Sequence, residues 1–388
     1  MAWLTGWNYR KAVTITNAGS VLSDYQVLMT ANTASLITAG KMRSDCGDIR
    51  FTDTDGSALR YYWIESGCNT TSTKLWVKIP SVPIGAKTIY LYYGNATPPS
   101  DGFGSNGTNT FDFFDDFSSS IDWTNKWQSS RQSSYSVSAG NLVMAALSIT
   151  SNDLIQTKNA YTNFIYDARL KLQNPTGNYS TTSSFSGTSG VAGTQSCILT
   201  QIGGIVSFPD NWTLGASTPA GTWFIHRMII PSSGTATGYI YSDNYASLIH
   251  TLSSSVPSHR TLYAGLSEWQ STSGTGYVDW VHIRKYASSE PISSISTTEE
   301  LPANITSTNI TLYHVTPCIE GTCIVTADVI WTNSGTGSGD FVPNIKIDNI
   351  VQTPIYPSQS LGPGASVMKS FSIIGLTIGT HTICPDPN

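Results

Sequence analysis

Short stretches of alternating polar and apolar residues, separated by turn-forming residues, constrain this chain most strongly. In the first ninety or so residues the pattern occurs in "RKAVTITN", "YQVLM", "DIRFTD", "LRYYWIE", "TKLWVKIP" and "KTIYLYYG". The intervening "NAGS", "DTDG", "SGCNTTS" and "VPIGA" contain the residues that favour turns. Because successive side chains of a strand point to opposite faces, this series of short strands predicts a β-sandwich.

The same pattern continues along all 388 residues and predicts an all-β protein of three tandem β-sandwich domains. We expect an N-terminal sandwich at residues 1–97, a larger sandwich at 110–290 and an immunoglobulin-like domain at 303–388. The last segment has the length and strand spacing of a seven-stranded immunoglobulin-like sandwich. "PPSDGFGSNGTNT" and "ASSEPISSISTTEELPANITST" are predicted linkers because turn-forming residues dominate them.

Composition excludes several classes of function. Charged residues make up 12% of the chain, the net charge is −5 and no basic block occurs, so we expect no nucleic-acid partner. No apolar run reaches the ~18 residues that span a bilayer. The start "MAWLTGWNYRK" lacks the basic and apolar regions of a secretory signal. We therefore expect that a signal was removed or that the protein leaves the cell by another route, such as in a virus particle.

The cysteines indicate disulfides in an oxidising environment, since none of them forms the CxxC pair typical of a zinc site. We expect a local bond between Cys46 and Cys68. Cys384 would pair with one of the other two cysteines of the last domain, and the leftover cysteines could form a bond between subunits. The six cysteines are Cys46, Cys68, Cys197, Cys318, Cys323 and Cys384.

Asn-x-Ser/Thr sequons are available for glycosylation if the host modifies the protein. Their number is close to what chance gives in a chain so rich in Ser and Thr, so they carry no further inference. The seven sequons begin at Asn69, Asn95, Asn106, Asn178, Asn211, Asn304 and Asn309.

An aspartate-rich stretch, "MRSDCGDIRFTDTDG" at residues 42–56, raises the question of a catalytic or metal site. A calcium loop in this register would place aromatic residues at two ligand positions. "TDTDG" is better interpreted as a hairpin turn in which Asp-Gly supplies the positive φ angles. We expect Arg43 or Arg50 to neutralise Asp45 and Asp48, so the cluster is predicted to be structural.

Sequence motifs of the first segment resemble a widespread domain of unknown function in archaeal and bacterial surface proteins. The motifs are "WNYRKAVTITN", "LSDYQVLM", "MRSDCGDIRFTDTDG", "YYWIE" and "LWVKIPSVPIGAKTIYLYYGN", which cover nearly all of residues 3–95. In that family the domain commonly precedes a concanavalin-like sandwich. The resemblance implies a surface or appendage protein and supplies no reaction.

The other two segments carry resemblances of their own. "FDFFDDFSSSIDWTNKW" and "YVDWVHIRKYASSEP" resemble the two edges of laminin-G and laminarinase-type sandwiches, and "VIWTNSGTGSGDF", "LGPGASV" and "GLTIGTHTICPDPN" resemble CARDB-type adhesion modules. In laminarinase-type sandwiches a Glu and an Asp at the two edges help to bind a structural calcium ion. The corresponding residues are Asp116, shorter than the family's Glu, and Asp279. They imply a calcium site; otherwise they are strand-edge carboxylates, and we expect no required cofactor.

Catalytic motifs are missing from the sequence. Laminarinase-type enzymes carry Glu-x-Asp-x-x-Glu on one strand, which supplies the paired carboxylates of glycoside cleavage, and this run does not occur. Glu268 with a distant Asp would be an unusual substitute. No Gly-x-Ser-x-Gly elbow and no phosphate loop occurs either. The chain is therefore predicted not to be an enzyme.

Tryptophans divide into candidates for glycan binding and candidates for the core. Trp212 and Trp269 lie in polar, turn-rich contexts and could stack on sugars. The tryptophans that alternate with apolar neighbours are predicted core residues. They are Trp63, Trp76, Trp223, Trp280 and Trp331.

These patterns predict a non-enzymatic extracellular structural or adhesive protein on a cell or virion surface. It would be a subunit of an appendage, filament or virion fibre that contacts copies of itself or other surface proteins. The alternative is a lectin that binds glycans through the middle domain, and a polysaccharide hydrolase ranks third. Whether Trp212 and Trp269 share one exposed concave face discriminates the lectin from the structural subunit.

Overall fold

Strands make up almost all of the regular structure, which confirms the all-β prediction. The computed structural model describes residues 3–145, 154–176, 180–186, 195–200, 205–208, 211–214, 219–255, 261–269, 273–314, 324–351, 356–374 and 382–387. No helix in these ranges is long and apolar enough to cross a membrane.

The first domain is a sandwich of short strands with two short helices. In β1, Val13 and Ile15 are fully buried and alternate with more exposed residues, as the sequence pattern predicts. Helix α1 begins after Asn32, whose side chain accepts a hydrogen bond from the Ser35 amide. The elements are β1 (Tyr9–Asn17), β2 (Leu22–Ala31), α1 (Thr33–Thr38), β3 (Arg50–Thr52), β4 (Leu59–Arg60), β5 (Tyr62–Ser66), β6 (Thr73–Val82), β7 (Gly85–Tyr93) and α2 (Gly107–Thr110).

The middle domain contains two large antiparallel sheets, and one continuous apolar core includes residues of both. Its strands are β8 (Phe113–Asp115), β9 (Trp127–Gln128), β10 (Tyr135–Ser138), β11 (Asn141–Ala145), β12 (Ile155–Thr157), β13 (Phe164–Thr176), β14 (Ser180–Ser186), β15 (Gln195–Thr200), β16 (Ile205–Phe208), β17 (Asn211–Leu214), β18 (Trp223–Ile230), β19 (Thr235–Ser242), β20 (Leu248–Ser255), β21 (Tyr263–Trp269) and β22 (Ser273–Lys285), with 3₁₀ turns at Gln132–Ser134 and Asp243–Tyr245.

Neighbouring strands define the two sheets of the middle domain. In the described residues, the eight-stranded sheet has the order β10-β11-β22-β13-β18-β19-β20, and β8 pairs with β22. The second sheet has the order β17-β16-β15-β14-β21-β12-β9. In β22, Val281 and Ile283 belong to the sandwich core. Trp280 and His282 alternate with them and therefore lie on the opposite, outer face of the eight-stranded sheet.

The chain then crosses back to the first domain before it forms the third. The remaining strands are β23 (Ile292–Ile295), β24 (Ile305–His314), β25 (Ile324–Asn333), β26 (Gly339–Phe341), β27 (Pro343–Ile347), β28 (Ile350–Val351), β29 (Gln359–Leu361), β30 (Ser366–Ile374) and β31 (Ile383–Pro387). In the described part, the third domain consists of the sheets β24-β25-β30, β28-β27-β31 and the pair β26-β29. Trp331 is fully buried in its core.

The prediction that "ASSEPISSISTTEELPANITST" is a linker is partly wrong, because β23 lies within it and completes a sheet of the first domain. That sheet has the order β23-β1-β7-β3-β4, and it faces the smaller sheet β2-β6-β5. Further along, the Arg10 guanidinium binds Glu300 at 2.7 Å and the Tyr92 hydroxyl at 2.8 Å. The segment after the middle domain is therefore held to the first domain by backbone pairing and by a buried cation.

A disulfide joins Cys46 and Cys68, the pair that the sequence predicts. Cys384 is a free, exposed cysteine, so the predicted bond from it to Cys318 or Cys323 is not formed. Cys384 lies on the exposed side of β31, opposite Lys346 of β27. Cys318 and Cys323 themselves lie outside the described residues.

Candidate binding groove between the first two domains

Aromatic side chains fill the boundary between the first domain and the eight-stranded sheet. Trp63 and Trp76 of the first domain, and Phe111 and Phe114 of the connection, pack with Trp280 of β22 in one buried cluster. The Trp63 and Trp280 rings meet edge to face, with their centroids 5.6 Å apart. Edge-to-face rings add to the stability that their burial already provides. The first domain is thus fixed on the outer face of this sheet.

A charge network lies under the same boundary. Asp167 of β13 is fully buried, and its Oδ1 accepts a hydrogen bond from Arg227 Nε at 2.7 Å. Its Oδ2 lies 3.6 Å from Nε of the buried Arg284. Burial raises the pKa of Asp167, but Arg227, His282 and Arg284 more than offset this and hold the pKa below its usual value. Asp167 is therefore the counterion of Arg227 and shares Arg284 with Glu290, whose Oε1 lies 2.9 Å from Arg284 Nη2.

Arg169, two residues further along β13, lies where the outer face of the sheet is partly exposed. Its Nε and Nη2 each donate to a different oxygen of Asp243 at 2.8 Å, and its Nη1 donates to Asp279 at 2.7 Å. The pairing of β13 with β22 passes from Trp280 directly to Val278, so Asp279 is the extra residue of a β-bulge. A bulge re-aims side chains, which explains how Asp279 reaches Arg169.

An aromatic row continues from Arg169 across three neighbouring strands. Lys171 of β13 lies opposite Trp223 of β18 and Tyr277 of β22 in the strand registers. Its ammonium is 4.6 Å from the Trp223 ring centroid and 4.8 Å from that of Tyr277, and all three residues are partly exposed. The prediction that Trp223 is a core residue is thus wrong. The register places it on the outer face, where Arg169 also lies 4.4 Å from its ring.

The first domain supplies one wall of a cavity at the end of this row. Glu65 and Ser66 of β5 line it together with Arg169 and Asp279, and its volume is about 230 Å³. Glu65 is only 9% exposed, and its Oε2 accepts a hydrogen bond from Trp76 Nε1 at 2.6 Å. Burial raises the pKa of Glu65 to about 7, although the Trp76 hydrogen bond acts in the opposite direction. This carboxyl group therefore changes charge near neutral pH.

We name the aromatic row and the adjoining cavity the boundary groove; it consists of Glu65, Arg169, Lys171, Trp223, Asp243, Tyr277 and Asp279. It combines carboxylates and a guanidinium, which bind hydroxyl groups, with partly exposed aromatic rings, which cover apolar C–H surface. Ligand sites typically combine apolar walls with a few placed polar groups. The groove is suited to a ligand that is polar at its edges and apolar on its faces.

Asp116 and Asp279, the carboxylates predicted to bind calcium, each have a hydrogen-bond partner within the chain. Asp279 binds Arg169, and Asp116 Oδ1 accepts hydrogen bonds from the amide and hydroxyl of Ser118. The neighbouring Asp115 accepts a hydrogen bond from Trp127 Nε1 at 2.6 Å. Among the residues that the structure describes, no group of three or more His, Cys, Asp or Glu side chains is arranged to hold a metal ion. Calcium binding by Asp116 and Asp279 stays a prediction.

The predicted glycan-binding tryptophans belong to strands of the second sheet of the middle domain. Trp212 lies on the edge strand β17 and Trp269 on β21, with β16, β15 and β14 between them. Their side chains lie outside the described part of the structure, and so does that of Glu268, so their roles stay predictions. Of the sequons, Asn69, Asn106, Asn304 and Asn309 are exposed and Asn95 is half-buried; Asn178 and the Asn211 side chain are not described.

The aspartate-rich stretch at residues 42–56 is part of the framework of the first domain. Arg43 binds Asp45 at 2.8 Å, and the buried Asp48 accepts hydrogen bonds from the amides of Arg43 and Gly94. Arg50, by contrast, binds Asp101 of the first predicted linker. Every one of these carboxylates has a partner within the chain, in agreement with the predicted structural role.

Comparison with known proteins supports the N-terminal resemblance over part of its length. Residues 45–130 match the model of the family described as a domain of unknown function, DUF2341. This region overlaps residues 3–95, where the resemblance was expected, from residue 45 onward and extends into the start of the middle domain. The specific motifs and the CARDB-type module stay predictions. No curated protein matches the chain.

Several solved structures show low similarity to part of the chain. The Bacillus licheniformis β-glucanase is 14% identical, with 45% of this chain and 98% of that chain covered and a TM-score of 0.34. LamAcat from Zobellia galactanivorans is 15% identical, with 46% and 100% covered and a TM-score of 0.35. An uncharacterised protein from Mycobacterium paratuberculosis is 15% identical, with 44% and 99% covered and a TM-score of 0.33. Similarity at this level carries no information about activity.

Proposed function

We propose that the protein is a non-enzymatic extracellular adhesive protein whose boundary groove binds carbohydrate. The observation that carries the proposal is the row of Trp223, Lys171 and Tyr277 beside Arg169, which joins aromatic and hydrogen-bonding surface in one partly exposed line. Sugar rings present C–H groups on their faces and hydroxyl groups at their edges. They therefore match both parts of such a surface.

The electrostatics of the groove suit binding. Asp243 and Asp279 both accept hydrogen bonds from Arg169, and such charge-assisted hydrogen bonds fix the geometry of the carboxylates. Carboxylate oxygens also accept hydrogen bonds from sugar hydroxyls. The groove thus supports recognition, while the Cys46–Cys68 disulfide fits an oxidising, extracellular setting.

Substitution of Trp223 tests this proposal. We expect Trp223→Ala to weaken glycan binding at least tenfold, which corresponds to about 1.4 kcal/mol, because it removes an aromatic wall of the groove. The measurement is calorimetric titration with glycans first selected on an array. Trp212→Ala, on the second sheet of the middle domain, is the matched control and should leave the affinity unchanged.

Other outcomes of this experiment would contradict the proposal. A loss of affinity in Trp212→Ala alone would move the site to the second sheet. Release of reducing ends from the bound glycans would show that the protein is an enzyme. If the intact chain binds no glycan on the array, the carbohydrate-binding proposal is wrong.

A structural subunit of an appendage or fibre is the second candidate function. The observation that favours it is the edge strand β24, on which Leu312 is 53% and Tyr313 55% exposed. Open edges can pair with a strand of another chain, and the exposed Cys384 could link subunits. Under this candidate, negative-stain electron microscopy should show ordered polymers under oxidising conditions, and fewer of them with reductant. Monodisperse particles in both conditions would exclude unaided assembly.

A further inference from the structure

We infer that the cavity of the boundary groove binds a single uncharged sugar residue, and that Asp243 and Asp279 determine this preference by neutralising Arg169. The inference rests on the proposed carbohydrate binding and adds its ligand class and its specificity-determining residues. It also makes the site a composite of two domains, since Glu65 and Ser66 come from the first domain and Arg169 from the second.

Size limits the ligand. The volume of about 230 Å³ lies below the ~300–1,000 Å³ of sites that enclose drug-sized ligands. Gly67 and Asn244 line the cavity and are both exposed, so it reaches the surface. One sugar unit can therefore enter while the rest of the glycan extends along the aromatic row.

The charges around Arg169 also limit which ligand can bind. Proteins recognise anionic groups through a guanidinium that offers two parallel N–H donors. In Arg169 that pair, Nε and Nη2, is bound to Asp243, and Nη1 is bound to Asp279. A carboxylate or sulfate on the ligand would have to displace one of these partners. A neutral hydroxyl can instead donate to a remaining lone pair of Asp279, which lines the cavity.

The opposite wall favours the same ligand. Glu65 has a pKa raised to about 7 by burial, so at neutral pH its carboxyl either donates to a hydroxyl or accepts from one. Above that pH it adds negative charge to the cavity. The nearby Lys74 donates to the Asn244 carbonyl, and its ammonium lies 4.2 Å from the Tyr245 ring centroid. These contacts hold the Lys74 ammonium next to Asn244, a residue that lines the cavity.

A competing attraction for anions is Lys171, at the other end of the groove. Its ammonium is held against the rings of Trp223 and Tyr277. An acidic sugar bound there would place its charge on the aromatic row and outside the cavity. The experiment must therefore separate Lys171 from Arg169.

Paired ligands test the inference. The probes are a neutral hexose oligosaccharide that binds the intact chain and the same oligosaccharide with one hexose replaced by its uronic acid. We expect the intact chain to bind the neutral form at least tenfold more tightly. In Asp279→Asn, and separately in Asp243→Asn, Arg169 loses the negative charge of one partner, so the preference should fall at least tenfold. Asp45→Asn makes the same charge change at an exposed pair of the first domain and should leave the preference unchanged.

Each outcome has one meaning. If the intact chain prefers the acidic form and Lys171→Gln removes that preference, the groove binds glycans but the inferred neutral specificity is wrong. If both forms bind and neither Asp variant changes their ratio, Asp243 and Asp279 do not determine specificity. If no oligosaccharide that binds the intact chain can be found, the proposed function fails and the inference fails with it.

Discussion

Replacing Asp167 by asparagine should lower the free energy of unfolding of the first two domains by about 4 kcal/mol. Removal of one partner from a buried ion pair typically costs 3–5 kcal/mol, because it leaves an uncompensated buried charge. Asp167 is fully buried and lies between Arg227, at 2.7 Å, and Arg284, at 3.6 Å. Asparagine has nearly the same shape, so the loss reports on charge and not on packing.

Urea unfolding followed by tryptophan fluorescence is the measurement, because Trp63, Trp76 and Trp280 lie at the same boundary. Asp45→Asn is the matched control; its pair with Arg43 is exposed, and such pairs contribute about 0–1 kcal/mol. A loss below 1 kcal/mol in Asp167→Asn would contradict the role of Asp167 as the counterion of the boundary.

The pH dependence of this loss has a definite sign. The pKa of Asp167 is lowered from the ordinary value of 3.8, so its stabilising charge is fully present above pH 3.8 and is lost as the pH falls below it. The difference between Asp167→Asn and the original chain should therefore be constant near neutral pH and shrink in acid.

The ionised carboxylate of Glu65, unlike that of Asp167, should destabilise the folded protein. Its pKa is raised from 4.5 to about 7, so the folded protein holds a proton that the unfolded chain releases. Stability should fall as the pH rises from 4.5 to 7 and stay lower above that range. At about 1.4 kcal/mol per pKa unit, the cost is about 3 kcal/mol. Glu65→Gln should recover about this much at pH 8 and nothing at pH 4.

Unfolding midpoints across pH 4–8 provide the measurement. Glu65→Gln should reduce the fall in stability between pH 4.5 and 7. The Nε1 donor of Trp76 lowers the pKa of Glu65. Trp76→Phe removes this donor, so the pKa should rise and the fall in stability should extend to higher pH. A slope that Glu65→Gln leaves unchanged would show that another group titrates in this range.

Much of the first domain could be predicted from its sequence, for local reasons. The strand pattern of "RKAVTITN" and "TKLWVKIP" follows from the alternation of side chains, which each strand expresses on its own. The Cys46–Cys68 bond follows in the same way from short separation along the chain, 22 residues. In residues 42–56, Asp45 pairs with the nearby Arg43 as predicted, whereas Asp48 is held by the backbone amides of Arg43 and the distant Gly94 and not by an arginine side chain.

The boundary groove, by contrast, has members that are distant in sequence. Glu65 meets Arg169 only because the first domain packs on the eight-stranded sheet, and no local pattern specifies that packing. Trp223 alternates with apolar residues as a core residue does, yet it lies on the half-covered outer face. No signal in one sequence could have distinguished these two environments.

The sequence alone thus determined the all-β architecture, the local disulfide and the framework role of the aspartate-rich stretch, because propensity, alternation and short loops act within a few residues. Tertiary structure decided the return of β23 to the first domain, the free Cys384 and the pairing of Asp279 with Arg169. A bulge shifts the alternation by one residue, and contacts between domains depend on surfaces that exist only after each sandwich has folded.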